Sequence, residues 1–185
     1  MTKRTIGVLV GSLRQNSFSK KVAQYLGTML EERFDVKFIG IGSLAMYNQD
    51  FDDPQKTPPE WLHFREEIKA SDAVLFVTPE YNRSMPAVLK NALDIGSRPA
   101  GESVWGAKPG AVVSVSPGRI GGFGCNNHLR QTATWLNIYM MQQPEAYIGD
   151  VANMVDVDGV TSEWLQGFLR KFADSFGAWI DKLTA

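Results

Sequence analysis

Short apolar runs alternate with helical patterns along the whole chain, and this alternation constrains the fold more than any other feature. Five segments have strand length; the first is an unbroken apolar run typical of a parallel strand covered on both faces, and the third is the strongest candidate. They are residues 6–10, 36–39, 73–77 and 111–115, followed by a weaker fifth segment, 139–141 with 146–148, which Pro144 interrupts.

Apolar residues at three- and four-residue spacing predict a helix after each of these strands. The predicted helices cover residues 22–30, 62–68 behind Pro58 and Pro59, 88–95 behind Pro86, 129–136 and 165–183. Proline suits the first turn of a helix, where its missing N–H is not needed. The last helix has the clearest apolar stripe, and Thr161 or Ser162 is expected to be its N-cap.

Five strands that alternate with five helices predict a doubly wound α/β protein. With right-handed crossovers, the economical arrangement is a three-layer, flavodoxin-like, five-stranded parallel sheet in the order 2-1-3-4-5. The 185 residues contain no internal repeat, low-complexity tract or linker, so a single domain spanning 1–185 is expected. We interpret the irregular segment 42–59 as a surface loop, with a role at the border of a pocket as the alternative.

Composition excludes several classes of function. The net charge of −1, from 19 basic and 20 acidic side chains, gives no basic surface for nucleic acid. The apolar run at residues 6–10 is too short for a signal sequence or a membrane span. Cys125 is the only cysteine, so no internal disulfide can form. We therefore expect a cytoplasmic protein without membrane or nucleic-acid partners.

Ligands of open α/β sheets bind beyond the carboxyl ends of the strands, which directs attention to the loops after the first, third and fourth strands. The first loop, residues 11–19, offers hydroxyl groups, the cation of Arg14 and a helix N-terminus. These groups predict a site for a phosphate monoester. The loop matches neither G-x-G-x-x-G nor G-x-x-x-x-G-K-[ST], and a serine-capped helix without a ligand is the alternative.

The other two loops suit a flat ligand. Residues 78–86 contain two prolines and Tyr81, so their backbone groups and one aromatic face could border a heteroaromatic ring. Residues 116–124 contain four glycines, which would let the backbone approach a planar ligand closely. The alternatives are a rigid turn for the second loop and a flexible loop without function for the third.

These motifs, G-S-L-R-Q-N-S-F-S, P-E-Y-N and S-P-G-R-I-G-G, resemble those of the NADPH-dependent FMN reductase family, especially its quinone, chromate and azo-dye reductase branch. The resemblance extends from Ile6 to about Ile148. It implies that Ser12, Arg14, Ser17 and Ser19 hold the phosphate of FMN, with Phe18 in the same loop among the cofactor-binding residues. It also implies that Pro79, Glu80, Tyr81 and Asn82 border the flavin ring and that Ser116 and Gly118 close its other side.

The resemblance implies an oxidoreductase that reduces quinones and other small acceptors with electrons from NAD(P)H. Turnover would be ping-pong hydride transfer through bound FMN, without a protein nucleophile or metal. The other acceptors are chromate, azo compounds, nitroaromatics and free flavin, and the preference for NADPH or NADH stays open. His63 and His128 are expected to have surface or core roles, and Cys125 to be a small residue at a helix start instead of a redox thiol.

Two rival classes fit less well. A flavodoxin-type electron carrier usually has a T-x-T-G-x-T phosphate loop and an acidic surface, whereas this chain has serines, Arg14 and a near-neutral charge. A phosphoacceptor receiver needs acidic residues where this chain has Val10-Gly11 and Thr78-Pro79. A reductase that releases reduced FMN to a partner enzyme shares every motif and cannot be separated from a quinone reductase.

The sequence also suggests self-assembly. Residues 134–141 carry more large apolar groups than one short element usually needs. Family members of this type are commonly dimers or pairs of dimers, so the resemblance implies a homodimer or homotetramer. The alternative is that these side chains fill the core of the domain.

Overall fold

The computed structural model describes residues 3–184, so residues 1, 2 and 185 of the predicted domain lie outside the described part. Strands and helices alternate within it in the predicted order. The strands are β1 (Thr5–Val10), β2 (Asp35–Phe38), β3 (Ala73–Pro79), β4 (Pro109–Val115), β5 (Tyr139–Met140) and β6 (Ala146–Ile148). The helices are α1 (Phe18–Leu30), α2 (Pro59–Lys69), α3 (Ala87–Gly96), α4 (Phe123–Trp135) and α5 (Glu163–Thr184).

The strands form one parallel sheet in the order β2-β1-β3-β4-β5, which confirms the predicted order. The fifth position is shared by two short strands, because β5 and β6 each pair with a different part of β4. Pro144 lies between them and has no N–H to donate to the sheet, so the interruption expected there is confirmed.

Two apolar cores cover the two faces of the sheet, and alternate side chains of β3 belong to different cores. Leu75 and Val77 point into a core shared with α1 and α5. Val74 and Phe76 point into a core shared with α2, α3 and α4. Successive side chains of a strand alternate between faces, so a strand buried on both sides must be apolar throughout. The result is the predicted three-layer architecture.

The boundaries differ from prediction mainly at α4. This helix begins at Phe123, six residues before the predicted start at 129, so the glycine-rich loop is shorter than the sequence suggests. Gly122 takes a left-handed conformation at the N-cap, with φ of 76°, and the helix follows at once. At α5, the Oγ of Ser162 accepts a hydrogen bond from the N–H of Leu165 at 3.4 Å, which selects Ser162 over Thr161 as the cap.

The carboxyl ends of β1, β3 and β4 are adjacent, since Val10 pairs with Val77 and Val77 pairs with Val113. The loops that follow these strands therefore meet at one edge of the sheet. Within residues 3–184, no helix combines the length and the apolar character needed to cross a bilayer.

Candidate cofactor-binding site

A cavity of about 110 Å³ lies at this edge, where the loops after β1, β3 and β4 converge. It gathers all of the predicted site residues except Asn82 and Gly118, together with Val115 and Pro117. The residues that line it are Ser12, Arg14, Ser17, Phe18, Ser19, Pro79, Glu80, Tyr81, Val115, Ser116 and Pro117.

The loop after β1 presents hydrogen-bond donors that have no protein acceptor to the cavity. Ser17 is the N-cap of α1, and its Oγ accepts a hydrogen bond from the N–H of Lys20 at 3.2 Å. Ser12 and Ser19 are only 9% and 2% exposed, yet neither hydroxyl has a hydrogen-bond partner within the described residues. The N–H groups of Phe18 and Ser19 are in the first turn of α1, where no intrahelical acceptor exists.

Arg14 adds a cation to this set. It is exposed and has no ion-pair partner among the residues that the structure describes. Free hydroxyls, free backbone N–H groups and a guanidinium around one helix N-terminus are donors that suit a phosphate dianion. The phosphate of FMN therefore fits this end of the cavity.

The loop after β3 folds into a tight turn. The N–H and C=O groups of Tyr81 and Ser84 bond reciprocally, both at 2.9 Å. The two residues between them, Asn82 and Arg83, have φ values of 50° and 65°. Asparagine adopts this left-handed region more readily than most residues, so Asn82 suits the turn, and it does not line the cavity. Tyr81 is 47% exposed at the mouth of the cavity.

The glycines after β4 serve packing within the protein. Gly121 has a φ of 66°, and a Cβ there would lie 2.5 Å from the carbonyl carbon of Tyr147. Its own carbonyl accepts a hydrogen bond from the Oγ of Ser114 at 2.7 Å. Gly118 is exposed, its N–H donates a hydrogen bond to the Oγ of Ser116 at 3.1 Å, and it does not line the cavity.

A buried polar network behind this loop was not predicted. The Nδ2 of Asn126 donates to the Oγ of Ser114 and to the carbonyl of Ala146, both at 3.2 Å, and Asn126 is fully buried. Its Oδ1 accepts from the Nε of Arg130 at 3.0 Å. The sequence did contain a signal for it. Asn126 precedes the apolar Leu129 by three positions, and residues at this spacing lie on the same face of a helix, which here is the buried face of α4.

The two histidines and the cysteine have the positions expected of them. His63 is on the surface near Glu67, at 3.6 Å, and the Nδ1 of exposed His128 lies 3.1 Å from the Oγ of Ser84. Cys125 is the third residue of α4 and is fully buried, with its Sγ 3.8 Å from the Oγ1 of Thr78. Burial raises the pKa of its thiol to about 11, so the thiol is protonated at neutral pH.

The chain is similar to known reductases over nearly its whole length. Residues 4–153 match the family model described as NADPH-dependent FMN reductase. The chain is 50% identical over 177 residues to a quinone reductase from Pseudomonas putida, an alignment that covers 95% of this chain and 94% of that protein. It is 45% identical over 176 residues to a 2-hydroxy-1,4-benzoquinone reductase from Burkholderia sp, with 95% of each chain covered.

Solved structures agree with this relationship. The flavoenzyme NAD(P)H:(acceptor) oxidoreductase FerB from Paracoccus denitrificans has a TM-score of 0.90 and 40% identity, with 97% of this chain and 98% of that chain covered. A flavodoxin from the domain Archaea has a TM-score of 0.58 at 10% identity, which shows a shared fold alone.

Proposed function

Because the chain belongs to the NADPH-dependent FMN reductase family, we propose that it reduces quinones with electrons taken from NAD(P)H. It is an oxidoreductase whose cofactors are FMN and NAD(P)H. The observation that carries the proposal is the convergence of three loops on one cavity with free phosphate donors at one end and Tyr81 at its mouth. The relatives named quinone reductase support quinones as the acceptors.

In this proposal each loop has its own part of the cofactor. The phosphate is held by the hydroxyls and cation of the first loop, with Phe18 as part of the wall. The ring lies between Pro79, Glu80 and Tyr81 on one side and Ser116 on the other. Asn82 and Gly118 contribute through the backbone conformation of their loops, because neither residue lines the cavity.

FMN, when bound, supplies the ability to accept a hydride from NAD(P)H and to pass the electrons to an acceptor. The protein binds and orients, and it leaves one side of the site open at Tyr81. We propose that the nicotinamide and the acceptor occupy this open side in turn, which is ping-pong turnover. Chromate, azo compounds, nitroaromatics and free flavin are further acceptors that an open site of this kind would admit.

We propose further that one domain spans residues 1–185, that the protein acts in the cytoplasm, and that it assembles into a homodimer or homotetramer. The assembly is supported by Trp135, whose side chain is 89% exposed beside a groove of about 980 Å³ between α3 and α4. Aromatic residues such as tryptophan are enriched in protein–protein interfaces, which supports a partner that covers this groove.

The function is tested by the visible spectrum of the protein loaded with FMN and given NAD(P)H without oxygen. Bleaching of the flavin bands and their return on addition of a quinone are expected. Initial rates at several fixed quinone concentrations should give parallel double-reciprocal lines, as ping-pong turnover requires. Flavin binding without bleaching would favour an electron carrier instead, and absence of flavin binding would contradict the proposed site.

Arg14→Ala tests the phosphate end. A hydrogen bond to a charged group contributes about 1.5–3 kcal/mol, so FMN affinity should fall by about tenfold or more. Riboflavin, which lacks the phosphate, should bind the variant and the wild type equally. Gln15→Ala is the matched control, because Gln15 is an exposed neighbour that does not line this cavity. Unchanged FMN affinity in Arg14→Ala would overturn the phosphate assignment.

A further inference from the structure

The carboxylate of Glu80 connects the two loops between which the ring is proposed to lie. Its Oε2 accepts a hydrogen bond from the backbone N–H of Cys125 at 2.9 Å, and the side chain is only 12% exposed. Cys125 is in the first turn of α4, where an N–H has no intrahelical acceptor. Glu80, from the loop after β3, therefore caps the helix that follows the loop after β4.

The start of α4 has no cap of its own. Its N-cap residue is Gly122, which has no side chain to accept a hydrogen bond from the first turn. The acceptor for Cys125 comes instead from a residue 45 positions earlier in the chain. The negative charge of Glu80 also suits the positive end of the helix dipole.

The same contact is closely packed. A Cβ at Gly124 would lie 2.8 Å from the carbonyl oxygen of Arg83 and 2.9 Å from the Oε2 of Glu80. The turn at residues 81–84 therefore packs directly against the first turn of α4, with no space for a side chain between them. Arg83 reaches the Oε1 of Glu80 at 3.6 Å, but its side chain is 72% exposed, so this ion pair contributes little.

We propose that Glu80 is a positioning residue that fixes the glycine-rich loop relative to the turn at 81–84 and thereby sets the shape of the ring pocket. It acts on the ring end of the site and leaves the phosphate end unchanged, since the phosphate donors belong to the loop after β1. This inference rests on the proposed FMN site, and it adds a role for Glu80 that bordering the ring does not supply.

The proposal predicts a specific pattern in flavin binding. In Glu80→Ala, affinity for FMN and for riboflavin should fall by the same factor, about 3- to 30-fold, as expected when a helix cap is removed. The resolved shoulders of the visible flavin band should also blur, because the ring would no longer have one fixed environment. Glu80→Gln should restore both affinities to within about threefold, because its amide oxygen can accept the same hydrogen bond.

Two further variants separate positioning from general stability. Glu163→Ala removes an exposed carboxylate from the first turn of α5, away from the cavity, and should leave flavin affinity unchanged. Gly124→Ala changes no charge, and alanine has a higher helix propensity than glycine. Its added Cβ would nevertheless clash with the carbonyl oxygen of Arg83, at 2.8 Å. It should therefore reproduce the loss of affinity for both flavins.

Amide hydrogen exchange of the flavin-free full-length protein gives a readout that does not depend on FMN. Glu80→Ala should accelerate exchange in residues 116–126 and leave α5 unchanged. Wild-type exchange rates in that segment, or loss of FMN affinity alone, would overturn the inference. So would a Glu80→Gln variant that behaves like Glu80→Ala. Failure of the wild type to bind either flavin would instead contradict the proposed function, and the exchange result would still decide the role of Glu80.

Discussion

Cys125 lies close to the proposed cofactor site, yet its thiol is unreactive in the folded protein. Its thiol is fully buried behind the loop after β3, and burial raises the pKa to about 11. At pH 8 about one molecule in a thousand would carry the reactive thiolate. We predict that iodoacetamide leaves Cys125 of the native protein unmodified over a period in which the guanidinium-unfolded protein reacts completely, as measured by intact mass. Comparable rates in both states would show that the thiol is accessible.

The grouping of individual residues was predictable where the residues are close together in sequence. Ser12, Arg14 and Ser17 lie in one short loop, so their residue types alone indicated a phosphate site, and the structure brings them to one cavity. The cap provided by Glu80 was not predictable in this way. Its partner N–H is 45 residues away, and only the packing of the turn against α4 places the two groups together.

At the scale of elements, α4 depends on one buried amide. Asn126→Ala would leave the part-buried Nε of Arg130 without its acceptor and would remove one of the two donors to the buried carbonyl of Ala146, which keeps the Oγ of Ser114 at 3.3 Å. Unsatisfied buried groups cost about 1–3 kcal/mol, so we predict a loss of that size in the free energy of unfolding, measured by urea denaturation. Asn127→Ala is the control, because Asn127 is on the exposed side of the same helix, and it should change stability by less than about 0.5 kcal/mol. Equal effects of the two substitutions would contradict the structural role of the network.

The start of a helix was predictable from the sequence where a local residue determines it, and not where contacts from other elements do. Pro86 marks the start of α3 in the sequence because proline itself restricts the backbone there. The start of α4 was placed too late, because four glycines suggest a loop and the stabilising contacts come from Glu80 and Ser114 on other elements. The order of the strands was correct, since buried apolar runs and right-handed crossovers leave few alternatives.

At the scale of the whole molecule, residues 134–141 were ambiguous in sequence between the core and an interface. Ile138, Met140 and Met141 are buried, so they fill the core, whereas Trp135 and Tyr139 are 89% and 42% exposed. Hydrophobic content alone cannot make this distinction, because it depends on which face of the helix end and of β5 each side chain takes. The exposed pair is the part of the segment that still requires an explanation.

Trp135 provides the test of assembly. The monomer mass is 20.5 kDa, and we predict that light scattering coupled to size exclusion gives at least twice this value for the wild type. Trp135→Glu should dissociate the assembly, because truncating a central interface tryptophan costs at least about 2 kcal/mol, or about 30-fold in Kd, and a buried charge costs more. Trp164→Glu is the matched control, since Trp164 is 64% exposed and stacks on Phe168 at the start of α5, away from the groove. A wild-type monomer at all concentrations would contradict assembly, whereas an oligomer that survives Trp135→Glu would move the interface to another surface.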